Sequence, residues 1–243
     1  MVKIKCGDVE FSNIEAILFD KNGTLEDSEI DLRKLAQKAS RIIDAQVPGI
    51  GEPLLMAFGV NGNTFDLAGL IAVASRQETE IAAAAYIAET GRGWIDSLNI
   101  ARQALDEAEK YIGNTPSPLF PGSIEILQQL SDKGLKLGIL SAATTSEVQE
   151  FVKFHQLNKY FQLEMGVDGK YFKPDPQLFI QACQTLGTEP SNTLMIGDSV
   201  GDMQMAKNAQ ANGCIGITWT GRLDHVKGAD AIIHKLEQIQ ILE

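Results

Sequence analysis

Ile14-Glu-Ala-Ile-Leu-Phe-Asp20-Lys-Asn-Gly-Thr24-Leu25 is the stretch on which the fold turns. Ala16 to Phe19 is an unbroken apolar run, the pattern of a parallel strand covered on both faces. The run stops at Asp20, and Asn22-Gly23 then turns the chain, because both residues tolerate backbone angles closed to others. A carboxylate at the carboxyl end of such a strand faces the crevice in which open α/β sheets bind ligands. On this stretch alone, a solvated aspartate in a strand-to-helix turn fits equally well.

Outward from it the chain changes character twice. Residues 2–11 alternate about Gly7-Asp8, which predicts a small hairpin leading into the first core strand. From Ser28 the apolar positions Ile30, Leu32, Leu35, Ala39 and Ile42-Ile43 follow helical spacing, with Ser28 as the expected N-cap and Asp31 three residues on. Gln46-Val-Pro-Gly49 breaks that helix. Alanine-rich stretches at 66–74 and 77–89 and a further helix at 95–112 follow, with breaks at Ser75-Arg76 and Gly91-Arg92-Gly93. Residues 26–112 are therefore expected to form an all-helical insertion between the first and second core strands.

From Pro116 strands and helices alternate. Helices are expected at 122–133, 145–154 and from Pro174 to Leu186, and strands at 135–140, 162–167, 193–196, 213–217 and 230–233, with a last helix at 235–242. The alternation predicts a doubly wound parallel sheet of Rossmann-like type, built from residues 1–25 and 113–243, with the helical domain at 26–112 inserted.

Four short motifs occur in a telling order. Asp20-x-Asn22-Gly-Thr24 resembles the first motif of the haloacid dehalogenase (HAD) superfamily, whose usual form is Asp-x-Asp-Gly-Thr. Ser141, after the run Leu135 to Leu140, matches the second; Lys173-Pro-Asp-Pro176 matches the third; Met195-Ile-Gly-Asp198-Ser-Val-Gly-Asp202 matches the fourth. The resemblance spans nearly the whole chain and is nearest to phosphoglycolate-phosphatase-like members, in which the helical insertion is a cap over the active site.

The resemblance implies an Mg²⁺-dependent phosphatase for small phosphate monoesters. Asp20 would be the nucleophile that forms an aspartyl-phosphate. Asp20, Asp198 and the Asn22 main-chain carbonyl would hold the magnesium, with Asp202 acting through water; an all-oxygen set suits that ion. The Ser141 hydroxyl and nearby backbone amides, including that of Ala142, would grip the phosphate, and Lys173 would neutralise it. Arg76 and Arg92, at the breaks of the helical insertion, are candidates for a substrate carboxylate. Lys21, Glu26 and Asp27 read as solvated, Thr24 as ordering the turn, and Trp94 and Trp219 as packing residues.

One departure bears on the chemistry. Where the superfamily carries an aspartate that protonates the leaving alkoxide and later activates water, this chain has Asn22. An amide exchanges no such proton, and general acid–base groups contribute about 10²–10⁴-fold. Slow turnover of alkyl phosphates is therefore expected. The alternative is a catalytically silenced protein of the same fold that binds phosphate or serves regulation. Asn22-Gly23 is also a dipeptide prone to deamidation, which would convert Asn22 to Asp.

The bulk properties agree with a small anionic substrate rather than a polymer. The chain has 243 residues, 44% hydrophobic and 22% charged, and a net charge of −11, which argues against nucleic acid as a partner. An anionic substrate must then be drawn in locally, against the global field. No apolar run is long enough to span a bilayer. Three scattered cysteines, Cys6, Cys183 and Cys214, lack zinc-site spacing and point to reduced thiols in a cytoplasmic protein. Oligomeric state is not legible.

Overall fold

The structure is a computed structural model that describes residues 2–113 and 115–242. The chain opens with strands β1 (Val2–Cys6), β2 (Val9–Ile14) and β3 (Ala16–Phe19). It continues through α1 (Glu29–Gln46), α2 (Gly51–Ala57), β4 (Val60–Asn61), β5 (Thr64–Phe65), α3 (Leu70–Val73), α4 (Arg76–Glu89) and α5 (Trp94–Ile112). It then alternates: α6 (Ser123–Asp132), β6 (Lys136–Leu140), α7 (Thr145–Phe154), β7 (Phe161–Met165), α8 (Pro176–Leu186), β8 (Thr193–Gly197), α9 (Val200–Asn208) and β9 (Gly213–Ile217). Strands β10 (Ala231–Ile233) and β11 (Ile239–Leu242) close it. Two compact units result, one of Met1–Asp27 with Pro118–Glu243, the other Ser28–Ser117.

The first unit is built on a six-stranded parallel sheet of order β10-β9-β8-β3-β6-β7. Strand side chains alternate between two cores, as period-two geometry requires. Ile17, Phe19, Leu137, Ile139, Leu194 and Ile196 face a cluster that includes Leu127 of α6 and Phe151 of α7. Leu18, Leu140 and Met195 face another with Phe179 of α8 and Met203 of α9. Both faces are thus covered by helices, the doubly wound arrangement that the apolar runs predict.

Helix starts follow local chemistry. Thr144 and Ser199 each accept the backbone N–H three residues on, while Glu147 and Asp202 bond back to the cap. Asp175 caps α8, with Pro176 in its first turn. Ser28 stands at the start of α1 but makes no side-chain cap bond. Asp31 instead accepts from Lys34 at 2.8 Å and from Ser117 Oγ at 2.7 Å, which fastens the two ends of the second unit to each other.

Three expectations are corrected. Residues 235–242 are not a helix: after a short 3-10 turn, β11 pairs antiparallel with β1, in register from Cys6–Ile239 to Lys3–Leu242. The β1–β2 hairpin left an open edge, and Ile239-Gln-Ile-Leu alternates in the way a strand needs. The second unit is mainly helical rather than all-helical, with a two-rung ladder pairing Val60 with Phe65 and Asn61 with Thr64. Of the stretch 66–74, only Leu70–Val73 is helix. Its start is fixed by Gly69, which packs so closely on Gly59 that an added Cβ would sit 2.6 Å from the Gly59 Cα. Alanines of α1, α4 and α5, among them Ala36, Ala83, Ala84, Ala101 and Ala104, fill the core of this unit.

The units divide at Asp27/Ser28 and Ser117/Pro118, slightly beyond the expected limits of 26 and 112. Within the first unit the outgoing and returning segments are stitched together. Asp27 N–H donates to the Pro118 carbonyl at 2.8 Å, and Phe120 N–H to that of Leu25 at 2.9 Å.

Candidate active site

Two carboxylates come together because two parallel strands end side by side. Phe19 of β3 is in register with Ile196 of β8, and Asp20 N–H donates to the Ile196 carbonyl at 2.8 Å. Asp20 therefore follows β3 directly opposite the point where Gly197-Asp198 follows β8. The third carboxylate, Asp202, is brought in by the cap of α9: its Oδ2 accepts from Ser199 Oγ at 2.6 Å and from Ser199 N at 3.2 Å. Ligand oxygens of Asp20, Asp198 and Asp202 all lie within 4.8 Å of one another.

Lys173 sits among them. Its Nζ is 2.6 Å from Asp20 Oδ1 and 2.7 Å from Asp202 Oδ1, and its side chain is 6% exposed. Three carboxylates against one ammonium leave two negative charges in excess. At about 4.8 Å and an effective dielectric near 20, each carboxylate pair repels by roughly 3–4 kcal/mol. Burial pushes Asp20 up to about 6, against the pull of Lys173 and with a further push from Asp202. Asp198 is raised well above the usual carboxylate range, by burial and then by the charges of Asp20 and Asp202. Burial pulls the Lys173 ammonium down, but Asp20 and Asp202 outweigh it and the net shift is upward. An all-oxygen cluster two charges short of neutrality fits one hard divalent cation.

The turn after Asp20 is held from several sides. Leu25 and Glu26 N–H groups donate to the Lys21 carbonyl, each at 2.9 Å, and Gly23 N–H to that of Glu26 at 2.9 Å. Gly23 adopts φ +74, and a Cβ there would lie 2.0 Å from Asp198 Oδ2, so only glycine lets the turn lie against the second carboxylate. Thr24 is fully buried in this turn. Trp219, two residues past the end of β9, donates its indole N–H to the Gly23 carbonyl at 3.0 Å. It also stacks on Phe120 with ring centroids 4.0 Å apart. It packs, as expected, but it anchors the turn as well. Nothing local in the sequence separates this indole from one that only packs.

Lys21 and Glu26 correct the sequence reading outright. They are not solvated: Lys21 is 7% and Glu26 4% exposed, and they form an ion pair with each other. Lys21 Nζ also donates to Asn22 Oδ1 at 2.5 Å. Opposite charges flanking a tight turn were the available signal. Of the residues read as solvated there, Asp27 alone is exposed.

Ser141 and Ala142 lie in the bend between β6 and α7. β6 neighbours β3, with Phe19 in register with Ile139, so this bend opens at the same end of the sheet as Asp20. The Ser141 hydroxyl oxygen accepts from Ala143 N–H at 3.2 Å, and Ser141 N–H donates to the Met165 carbonyl at 3.0 Å.

Arg76 is placed otherwise than expected. Its Nε donates to Glu80 at 3.0 Å, one terminal nitrogen contacts Glu109, and the other reaches Asp106 at 2.6 Å. Three carboxylates already surround it, so it cross-links α4 to α5 and is not open to a substrate carboxylate. Arg92 donates to the Gln46 carbonyl at 2.9 Å, which ties the α4–α5 turn to the end of α1.

A family profile described as haloacid dehalogenase-like hydrolase matches residues 14–210. Phosphoglycolate phosphatase of Shigella boydii is 28% identical over 221 residues, covering 86% of this chain and 83% of that protein; the Escherichia coli K12 protein of the same name is 28% identical over 220 residues with the same coverage. A solved structure described as a predicted phosphoglycolate phosphatase, from Haemophilus somnus, superposes with a TM-score of 0.72 at 20% identity, covering 93% of this chain and 96% of that one. A haloacid dehalogenase-like family hydrolase from Streptococcus pneumoniae gives a TM-score of 0.65 at 26% identity, covering 93% and 97%.

Proposed function

The chain belongs to the haloacid dehalogenase-like hydrolases, and from that premise we propose that it is an Mg²⁺-dependent phosphatase of small phosphate monoesters that works through phosphorylated Asp20, slowed at the proton-transfer step by Asn22. The observation that carries this reading is the convergence of Asp20, Asp198, Asp202 and Lys173 at adjoining strand ends with two negative charges unbalanced. Phosphoglycolate-like substrates are the first to test, since relatives of that name cover most of the chain.

Asp20, Asp198 and the Asn22 main-chain carbonyl would hold the magnesium. Asp202 would act at one remove, because one of its oxygens is paired with Lys173 and the other accepts from Ser199. When bound, the cation supplies positive charge that holds the cluster ionised and screens the incoming phosphate. Asp20 then attacks phosphorus while Lys173, already on its carboxylate, shares its charge with the phosphoryl oxygens. Ser141 and the backbone N–H of Ala142 hold the remaining phosphate oxygens. Asn22 accompanies the leaving group without giving it a proton. Three free, buried thiols suit a reducing compartment, in keeping with a cytoplasmic location. Among the described residues no helix is long and apolar enough to cross a membrane.

A second reading, a phosphate-binding protein without turnover, is favoured by one observation, the amide at position 22. Phosphate release with Mg²⁺ from phosphoglycolate and from an aryl phosphate decides between them. In Asn22→Asp the alkyl rate is expected to rise by about 10² or more and the aryl rate by less. If both proteins are inert on both substrates, the binding reading replaces the enzyme. A peptide mass spectrum of residue 22 guards against deamidated material.

A further inference from the structure

We propose that Lys21 and Glu26 fix the Asn22 carboxamide as a hydrogen-bond donor to the departing group. The site is thereby selective for phosphoryl donors whose leaving group departs without a proton, namely acyl, aryl and enol phosphates and phosphoric anhydrides. The inference rests on Asp20 being the phosphoryl acceptor, as argued above.

The amide's orientation follows from chemistry. An ammonium carries donors and no acceptor, so the group facing Lys21 Nζ at 2.5 Å must be the carbonyl oxygen of Asn22 and not its NH₂. Lys21 is itself immobilised. It pairs with Glu26, lies 5.5 Å from the centroid of the Phe151 ring, and is almost closed to solvent. Asn22, by contrast, is only half-buried. With its oxygen held inward, the arm left to meet a ligand is the NH₂ group. Lys21 and Glu26 cancel each other's charge, so the donor presented to the substrate is neutral and non-titrating.

The consequence is a balanced phosphoryl transfer without acid catalysis. A carboxylate oxygen of Asp20 forms the new bond to phosphorus. The bond from phosphorus to the bridging oxygen breaks, and its electron pair stays on that oxygen. Asn22 donates a hydrogen bond to the developing anion but keeps its proton, and the leaving group departs as the anion into solvent. An alkoxide is too basic to depart in this way at neutral pH; a carboxylate, phenolate or phosphate is not.

The test compares acetyl phosphate and 4-nitrophenyl phosphate with phosphoglycolate and glycerol 3-phosphate, all with Mg²⁺. It uses the chain, Asn22→Leu, and the double variant Lys21→Met with Glu26→Met. The double variant removes both partners of the buried pair, so that no bare charge is left inside. The chain is expected to favour the first two substrates by about 10²-fold or more in kcat/KM. Asn22→Leu should lower kcat/KM on them, which reads the transfer to Asp20, by about 10²–10³-fold, the cost of losing a donor aimed at developing charge. The double variant should fall between the two, because its amide is free to turn over. Comparable kcat/KM on all four substrates, or an undiminished kcat/KM in Asn22→Leu, overturn the inference and leave the phosphatase standing. Failure of every donor to give either phosphate or phosphorylated Asp20 overturns both.

Discussion

Gly23 is the residue on which the candidate site is most sensitive to a single atom. Its Cα lies where a methyl group would fall on Asp198 Oδ2, and its φ of +74 disfavours any side chain. Gly23→Ala is expected to cost at least about 1 kcal/mol of stability from backbone strain and to displace one carboxylate of the cation cluster. Calorimetry should show Mg²⁺ binding lost or sharply weakened in a protein that still folds. At this scale the sequence was legible where a residue ends a strand: an apolar run precedes Asp20 and Ser141, and the motif resemblance marked Ser141 and Asp198. It was not legible where a role depends on a contact distant in sequence. Trp219 reaches Gly23 across 196 positions, and nothing local distinguishes that indole from a packing one. Arg76 shows the converse, since an arginine at a helix break is poised for an anion until Glu80, Asp106 and Glu109 are placed around it.

At the scale of elements, the Arg76 cluster joins α4 to α5 on the surface of the helical unit. Partly exposed ion pairs contribute little singly, but a guanidinium shared by three carboxylates acts as a network. Arg76→Ala should lower the unfolding free energy by about 1–2 kcal/mol in denaturant titration while leaving KM for a phosphate substrate unchanged. A rise in KM without loss of stability would return Arg76 to substrate binding. The strands and helices of the sheet unit were mostly legible, because period-two and period-3.6 patterns and their capping residues are local. Two of the exceptions are tertiary: β11 exists because β1 offers it an edge, and Gly69 packed on Gly59 sets the start of α3. The β4–β5 ladder is a local hairpin closed over Gly62-Asn63.

For the molecule as a whole, the buried carboxylate cluster is expected to couple folding to pH and to a divalent cation. Asp20 has a folded pKa near 6, above its unfolded value, and Asp198 shifts in the same direction. The folded cation-free protein therefore binds protons more tightly than the unfolded chain between about pH 4 and pH 6, and its stability falls as pH rises through that window. A cation that needs the ionised cluster has the opposite dependence. Mg²⁺ should raise the Tm clearly at about pH 7.5 and much less at about pH 5, where it competes with protons. An increment independent of pH would place the cation elsewhere.

In the proposed reaction Asp20 takes the phosphoryl group and Asn22 slows its release. The most direct measurement is mass spectrometry of the peptide containing Asp20 after brief reaction with acetyl phosphate and Mg²⁺, quenched in acid. A phosphoryl group is expected on Asp20, dependent on Mg²⁺ and absent from Asp20→Asn, accumulating in the chain and depleted in Asn22→Asp. Phosphate release that continues undiminished in Asp20→Asn, or a phosphoryl group found on another residue, would contradict that reaction.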